Sequence, residues 1–440
     1  MTAAPILTLR KTVLAALIVG VLGPQFAMAD EARERALEAR VAELEKIVNQ
    51  LVEQSKAAPP APAPHQLAKG VKPIQDNTLT PGSAYDNTTV KFGGFIMTDL
   101  LATRTDGGNL ADGAVSRDLY QPAAIPIGGK ASSTFYDAHA KFSRFNIGID
   151  SKTDKGDKIG AFFEIDFEGN ALGSQVTTNL QGTTLRQAYV YWNNWLAGQT
   201  WTNFMDPAAL PESAEFIGVT DGTVFVRQAQ VGYTTGGLSL AVENPENTFV
   251  DNKGVVTALG RSTMPDFTAR YTWKGDWGFL GLAGILRQAR FENGPAKTSD
   301  TGGGVSVMGK WNIGGHDDLR YAVTAGNLVA RYIGLGVAAD AEVDPANEID
   351  TRSGYAGYVA WRHVLDSNWR FNLMYAGNHF SNDSLYALAT RSTQSWHANV
   401  FYTPLPKLDL GVEYMHGKRS LSTSASGELD RLQFMAKYSF

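Results

Sequence analysis

Between residues 90 and 440 the chain alternates apolar and polar positions. Ile159, Ala161, Phe163, Ile165 and Phe167 interleave with Gly160, Phe162, Glu164, Asp166 and Glu168. Phe267, Ala269, Tyr271 and Trp273 interleave with Thr268, Arg270, Thr272 and Lys274, and Leu408, Leu410, Val412 and Tyr414 with Asp409, Gly411, Glu413 and Met415. A period of two, with one apolar and one mainly polar face, describes a strand lying between two different environments. Such segments fall at 90–104, 138–152, 157–168, 184–193, 195–201, 223–234, 237–244, 265–274, 277–291, 304–312, 318–327, 353–363, 369–380, 393–403, 407–418 and 429–440, sixteen in all. The expected fold class is all-β.

The connections sort themselves into two kinds. Short turns stand at 153–156, 194, 235–236, 275–276, 314–315, 366–368 and 404–406, while the other eight connections are long. An even strand count with short turns on one side and long loops on the other is the pattern of a closed antiparallel transmembrane β-barrel of the outer-membrane type. Trp192, Trp195, Trp273, Trp277, Trp311 and Trp369 all stand beside short turns, where an interfacial aromatic girdle is expected. The last strand closes on Leu432, Phe434, Ala436, Tyr438 and Phe440. That ending resembles the signal read by the barrel-assembly machinery, making Phe440 the expected contact with that partner.

The first 89 residues follow other rules. Arg10-Lys11, the apolar stretch 12–23 and the Ala27-Met28-Ala29 site read as a signal peptide over 1–29, with an apolar run too short to span a bilayer as a helix. Over 30–56, Leu37, Val41, Leu44, Val48 and Leu51 are spaced 4, 3, 4, 3, the a/d seam of a coiled-coil helix that would drive oligomerisation. Val at a with Leu at d favours two strands, and Ile47 at g favours three, so the spacing leaves the number open. AAPPAPAP at 57–64 is a polyproline-like spacer, and 57–89 reads as a tether with no assigned structure.

Composition narrows the chemistry. With no Cys, the chain holds no disulfide, thiolate metal site or thiol nucleophile. A net charge of −5, or −7 once Arg10 and Lys11 leave with the leader, gives no basic excess for nucleic acid. The slightly negative mean hydropathy suits strands that turn half their residues to a water-filled lumen. A barrel of this size leaves room for an aqueous channel. The positions opposite the apolar set carry Arg144, Arg270, Lys274, Lys310, Arg320, Arg362, Arg370, Arg431 and Lys437 against Asp150, Glu164, Asp166, Glu168, Asp409 and Glu413, a tilt toward anions. The faces of Arg186 and Arg227 cannot be assigned. The third long loop, 202–222, carries Asp206, Glu212 and Glu215. Folded inward as a constriction, it would set these carboxylates against the arginine wall and create a transverse field.

Together these parts resemble the DcaP-like trimeric outer-membrane porins. The matching features are the leader, the heptads, the Pro/Ala tether, KFGGFIMTDL (91–100), FSRFNIGIDSKT (142–153), and RQAYVYW (186–192) followed by LAGQTWTNFMD (196–206). The resemblance implies a homotrimer with a periplasmic coiled coil in the bacterial outer membrane, in contact with lipid and lipopolysaccharide. It also implies passive diffusion of small anionic solutes, dicarboxylates especially.

The expected function is therefore a non-enzymatic porin with no cofactor and no metal. A general or phosphate-type porin remains an alternative. From other classes, an adhesin or envelope tether and a barrel hydrolase remain open, the last without a G-x-S-x-G motif or a recognisable partner for His363, His379, His397 or His416.

Overall fold

The computed structural model describes residues 46, 78–79, 88–169, 178–250, 256–257, 262–293, 296–381 and 386–440. The chain divides into two units, Met1–Pro73 and Ile74–Phe440. The leader, the heptad positions Leu37, Val41, Leu44, Val48 and Leu51, and the proline-rich segment lie outside the described residues.

The second unit is a closed barrel of sixteen antiparallel strands. We number them β1 (Thr88–Thr105), β2 (Phe135–His139 continued by Arg144–Lys152), β3 (Lys158–Asp166), β4 (Thr184–Trp192), β5 (Trp195–Trp201), β6 (Arg227–Thr235), β7 (Leu238–Glu243) and β8 (Asp266–Gly275). They continue with β9 (Gly278–Asn293), β10 (Ala296–Ile313), β11 (Asp317–Asn327), β12 (Ser353–Val364), β13 (Trp369–Phe380), β14 (Thr390–Leu405), β15 (Leu408–Leu421) and β16 (Ser426–Ser439). Each strand pairs with its chain neighbours, and β16 closes on β1 from Phe95↔Ser439 to Thr105↔Leu429.

Alternation decides which way each residue points. Ile96, Leu100, Val190, Val231, Leu282, Val305, Val323 and Leu373 all stand exposed on the outer face, a belt that would be untenable in water but is matched to hydrocarbon. All six tryptophans beside the short turns belong to this face, each between 42% and 58% exposed, so none is there to fill a core.

Three features depart from the sequence reading. The second strand is interrupted at residues 140–143, where the Ser143 hydroxyl takes the backbone N–H of Met97 at 3.0 Å and so occupies a place in the ladder. The ninth connection is not a long loop, because β9 and β10 run on to the pair Asn293↔Ala296. Gly302-Gly303-Gly304 disguises that extension as a turn. Its cause is close approach: a Cβ on Gly303 would lie 2.2 Å from the Ile285 carbonyl, and one on Gly304 2.7 Å from Val329. Finally, within the segment read as irregular tether, Thr78–Leu79 pairs antiparallel with Val90 and Lys91.

The interior is not uniformly polar. The third loop brings Phe204, Met205, Ala209, Val219 and Val224 into the barrel, and the loop after β11 brings Val329, Tyr332, Ile333 and Val337. Both pack on inward residues of β9–β13 such as Ala283, Met308, Ala322, Tyr358 and Ala376. On β9, inward Phe279, Ala283 and Ile285 oppose outward Leu282 and Leu286, the composition of a strand covered on both sides. That half of the barrel is filled, and on the side of β2–β6 the inward residues are mainly polar, with Asn146, Gln187 and Tyr189 half-buried.

Candidate solute pathway

Cations crowd the short-turn end of the barrel. Most sit within a few residues of a tight turn, Arg270 lies at mid-strand, and side-chain alternation turns them inward. Arg270 on β8 donates to the Met205 carbonyl and lies 3.8 Å from Asp206. Arg320 on β11 donates through Nε to Asp318 at 2.8 Å and through Nη1 to the Leu210 carbonyl, while Arg362 on β12 approaches Asp318 at 3.8 Å. Arg370 on β13 is the most heavily engaged, with Nη2 2.7 Å from Glu212 and 2.9 Å from Asp409, and Nη1 bonded to Thr403 at 2.6 Å. Lys437 on β16 lies 3.8 Å from Asp409. Lys310 stands opposite Arg320 in the ladder. Neither Lys310 nor Lys274 has a carboxylate within 4.0 Å among the described residues. A cavity of about 330 Å³ opens between Asp206, Arg270, Lys274 and Ser239.

The third loop does fold inward, and these arginines hold it. Asp206 also caps the turn Pro207–Ala209 by accepting the Ala208 N–H at 3.0 Å. Asp206 and Glu212 therefore meet basic wall residues directly, with no open gap between the two signs.

Two predicted pore residues are corrected. Glu215 does not face a channel; it is 3% exposed and accepts the N–H groups of Tyr120, Ile217 and Gly218, all at 2.7 Å. Burial pushes its carboxyl upward, and those backbone bonds oppose the rise. Its role is to staple the first long loop to the third. Arg431 points inward, yet it is 1% exposed beneath the first loop, donating to Thr103 Oγ1 at 3.0 Å and to the Ser116 carbonyl at 2.8 Å.

The same seam contains a relay-like cluster. His397 Nε2 lies 3.1 Å from Ser395 Oγ, and its Nδ1 lies 2.8 Å from Glu413. Ser395, however, is buried and hydrogen-bonded to Asp221 of the third loop, and Glu413 takes Ser213 Oγ and Ala214 N of that loop at 2.7 Å. Ser395 and Glu413 are thus tied to the loop and all three residues are buried, so the cluster presents no exposed nucleophile.

On the side of β2–β6, three arginines converge beside Phe216 of the third loop. Arg144 on β2 lies 3.6 Å from Glu164 and 3.4 Å from Asp166, and Arg186 on β4 bonds Asp166. Arg227, at the start of β6, lies flat on Trp201, its guanidinium carbon 3.7 Å from the ring centroid and 5.1 Å from that of Phe225. It is half-buried and has no carboxylate within 4.0 Å among the described residues. Arg186 and Arg144 stand 4.9 and 5.8 Å from the ring of Phe216 in the third loop. Within 4.0 Å, these three guanidiniums share two carboxylates among the described residues, and Glu168 adds a third acid beside Arg186 only where it is ionised. Arg186 and Arg227 could not be placed by alternation because β4 carries a register shift near Glu164 and β6 begins only at Arg227.

Sequence reasoning also missed Arg287. It is fully buried, 3.2 Å from Asp266 and 3.0 Å from Asp340, and it donates to the carbonyls of Leu328 and Glu246. It anchors a four-stranded sheet formed by Phe249–Val250, Val256–Thr257, Ala341–Val343 and Ile349–Thr351. The signal was present in β9, where both faces are apolar from Phe279 to Leu286 up to Arg287.

Comparison with known proteins agrees with this architecture. No curated protein matches the chain in sequence. Among solved structures, the outer membrane channel DcaP of Acinetobacter baumannii superposes with a TM-score of 0.67 at 24% identity, covering 82% of this chain and 100% of that one. OmpF of Salmonella typhi, solved in complex with daunomycin, gives 0.50 at 10% identity over 81% and 98%. The sequence model of the DcaP outer membrane protein family matches residues 21–440. The chain belongs to the DcaP outer membrane protein family, a family of bacterial outer-membrane channels.

Proposed function

We propose that the barrel passes small anionic solutes by diffusion through the β2–β6 side of its lumen. The observation that carries this reading is the arginine group Arg144, Arg186 and Arg227, in which Arg227 keeps a full positive charge with no acidic partner. A guanidinium held flat by an aromatic ring keeps its N–H edge free for a carboxylate, which it can meet with two parallel bonds. A second cationic group, including Lys274 and Lys310, lies nearer the short turns. A solute bearing two carboxylates can be handed from one group to the other, which supports a preference for dicarboxylates.

In the same reading the chain is exported by its leader, assembled through its terminal Phe440, and trimerises with the 30–56 helix in the periplasm and lipopolysaccharide around the outer rim. It needs no catalytic residue. The test is competition in reconstituted membranes: succinate should block chloride current more strongly than phosphate does at equal concentration. Stronger block by phosphate would favour a phosphate-type porin instead.

A further inference from the structure

Below the arginines, the β2–β5 wall carries an aromatic pair that the passage of aliphatic anions does not require. Gly148 on β2, Phe162 on β3, Tyr189 on β4 and Gly198 on β5 are in register on four successive strands. Phe162 and Tyr189 point inward, both half-buried, with ring centroids 5.6 Å apart and planes tilted by 32°. Glycine on either side lets the wall pack closely against this pair without a side chain of its own. A Cβ on Gly148 would lie 3.9 Å from Phe162 Cδ2, and one on Gly198, which adopts φ +137°, would lie 2.9 Å from Tyr189 Cβ.

The next row of the wall holds Asn146, Glu164 and Gln187, about 6.8 Å along the strands at ~3.4 Å per residue. Arg144 reaches down to that row, 3.6 Å from Glu164. Ring surface and guanidinium are therefore separated by a span comparable with that from the ring of an arylcarboxylate to a guanidinium in contact with its carboxylate.

We infer that this wall is a binding site for aromatic monocarboxylates, the solute's ring lying against Phe162 and Tyr189 between the two glycines and its carboxylate meeting the arginine group. Offset or tilted ring contacts of this kind favour a planar solute over a saturated one of equal size and charge. Between them lie Asn146, whose amide can donate to the solute's carboxylate, and Glu164, whose charge is paired by Arg144, in keeping with an apolar surface that carries a few placed polar groups. The inference rests on the anion-channel reading but is separable from it.

The test compares benzoate with cyclohexanecarboxylate on the full-length protein in planar bilayers, with reversal potential recorded in the same membranes. Benzoate is expected to block the open channel about two- to tenfold longer per event, the range one aromatic contact supplies. F162L and Y189L should each shrink that ratio toward one, and G148L, which fills the flank of Phe162, should do the same without removing a ring. Heat-modified gel mobility reports that each variant is a folded barrel. Equal blocking by the two acids in an anion-selective wild-type channel would overturn the aromatic site and leave the anion reading standing. A cation-selective wild-type channel would overturn both.

Discussion

Glu168 stands just beyond the end of β3, on the inward side, and burial lifts its carboxyl to about 7, with nearby Asp118 adding to the rise. Below that pH the group is neutral, and above it a negative charge appears beside Arg186 and Lys141. Folding holds this proton more tightly than the open chain does, so stability from Glu168 is complete below about 4.5 and is lost as pH rises through about 7. The consequence for transport has the same direction. Reversal potentials should move toward anions between pH 8 and pH 6, and Glu168→Gln should flatten that dependence; a profile unchanged by the substitution would remove Glu168 from the pathway. Glu215 acts differently at the same scale. Glu215→Ala leaves three backbone N–H groups of the inner seam without an acceptor, each costing about 1–3 kcal/mol. The expected result is a barrel that still forms but whose third loop is cut by added protease, against a resistant wild type.

At the scale of elements, the strands were far more legible than the loops. Alternation between lipid and water leaves a period-two record in every strand, and the boundaries of β5 and β13 were recovered to the residue. That record fails where a residue faces neither solvent. Inward Ala322, Ala356 and Ala376 face loop side chains, and nothing in a strand's own sequence tells a lumen from a core. Glu215 and Arg431 were misread for the same reason: both lie on the inner side, beneath loops whose path the alternation does not encode. Asp206, Glu212 and Arg370 were legible because opposite charges in a loop and a wall attract wherever the loop comes inward. The accessory sheet was invisible because its strands are two or three residues long, yet its anchor is testable. Arg287→Ala leaves buried Asp340 without its cation and Asp266 with only Arg331 Nη1 at 4.0 Å, at a cost of about 3–5 kcal/mol. Hydrogen exchange should then rise in residues 341–343 and 349–351 while the ladder of β1 and β16 stays protected. Uniform exchange across both would contradict the anchoring role.

For the whole molecule, the two surfaces answer to different solvents. The outer belt and its six tryptophans set the barrel in a membrane, and the inner loops pack one half of the lumen; in the proposed reading the other half conducts. The chain's net charge of −5 belongs to neither surface in particular; the conducting side is decided locally, where three arginines share two acids. In the proposed reading this local excess makes the channel anion-selective. The most direct measurement is the reversal potential of the reconstituted wild-type channel in a tenfold potassium chloride gradient, repeated with Arg227→Gln. The account predicts a potential of the anion-selective sign that falls toward zero in the variant; a cation-selective wild type, or a variant indistinguishable from it, would contradict it.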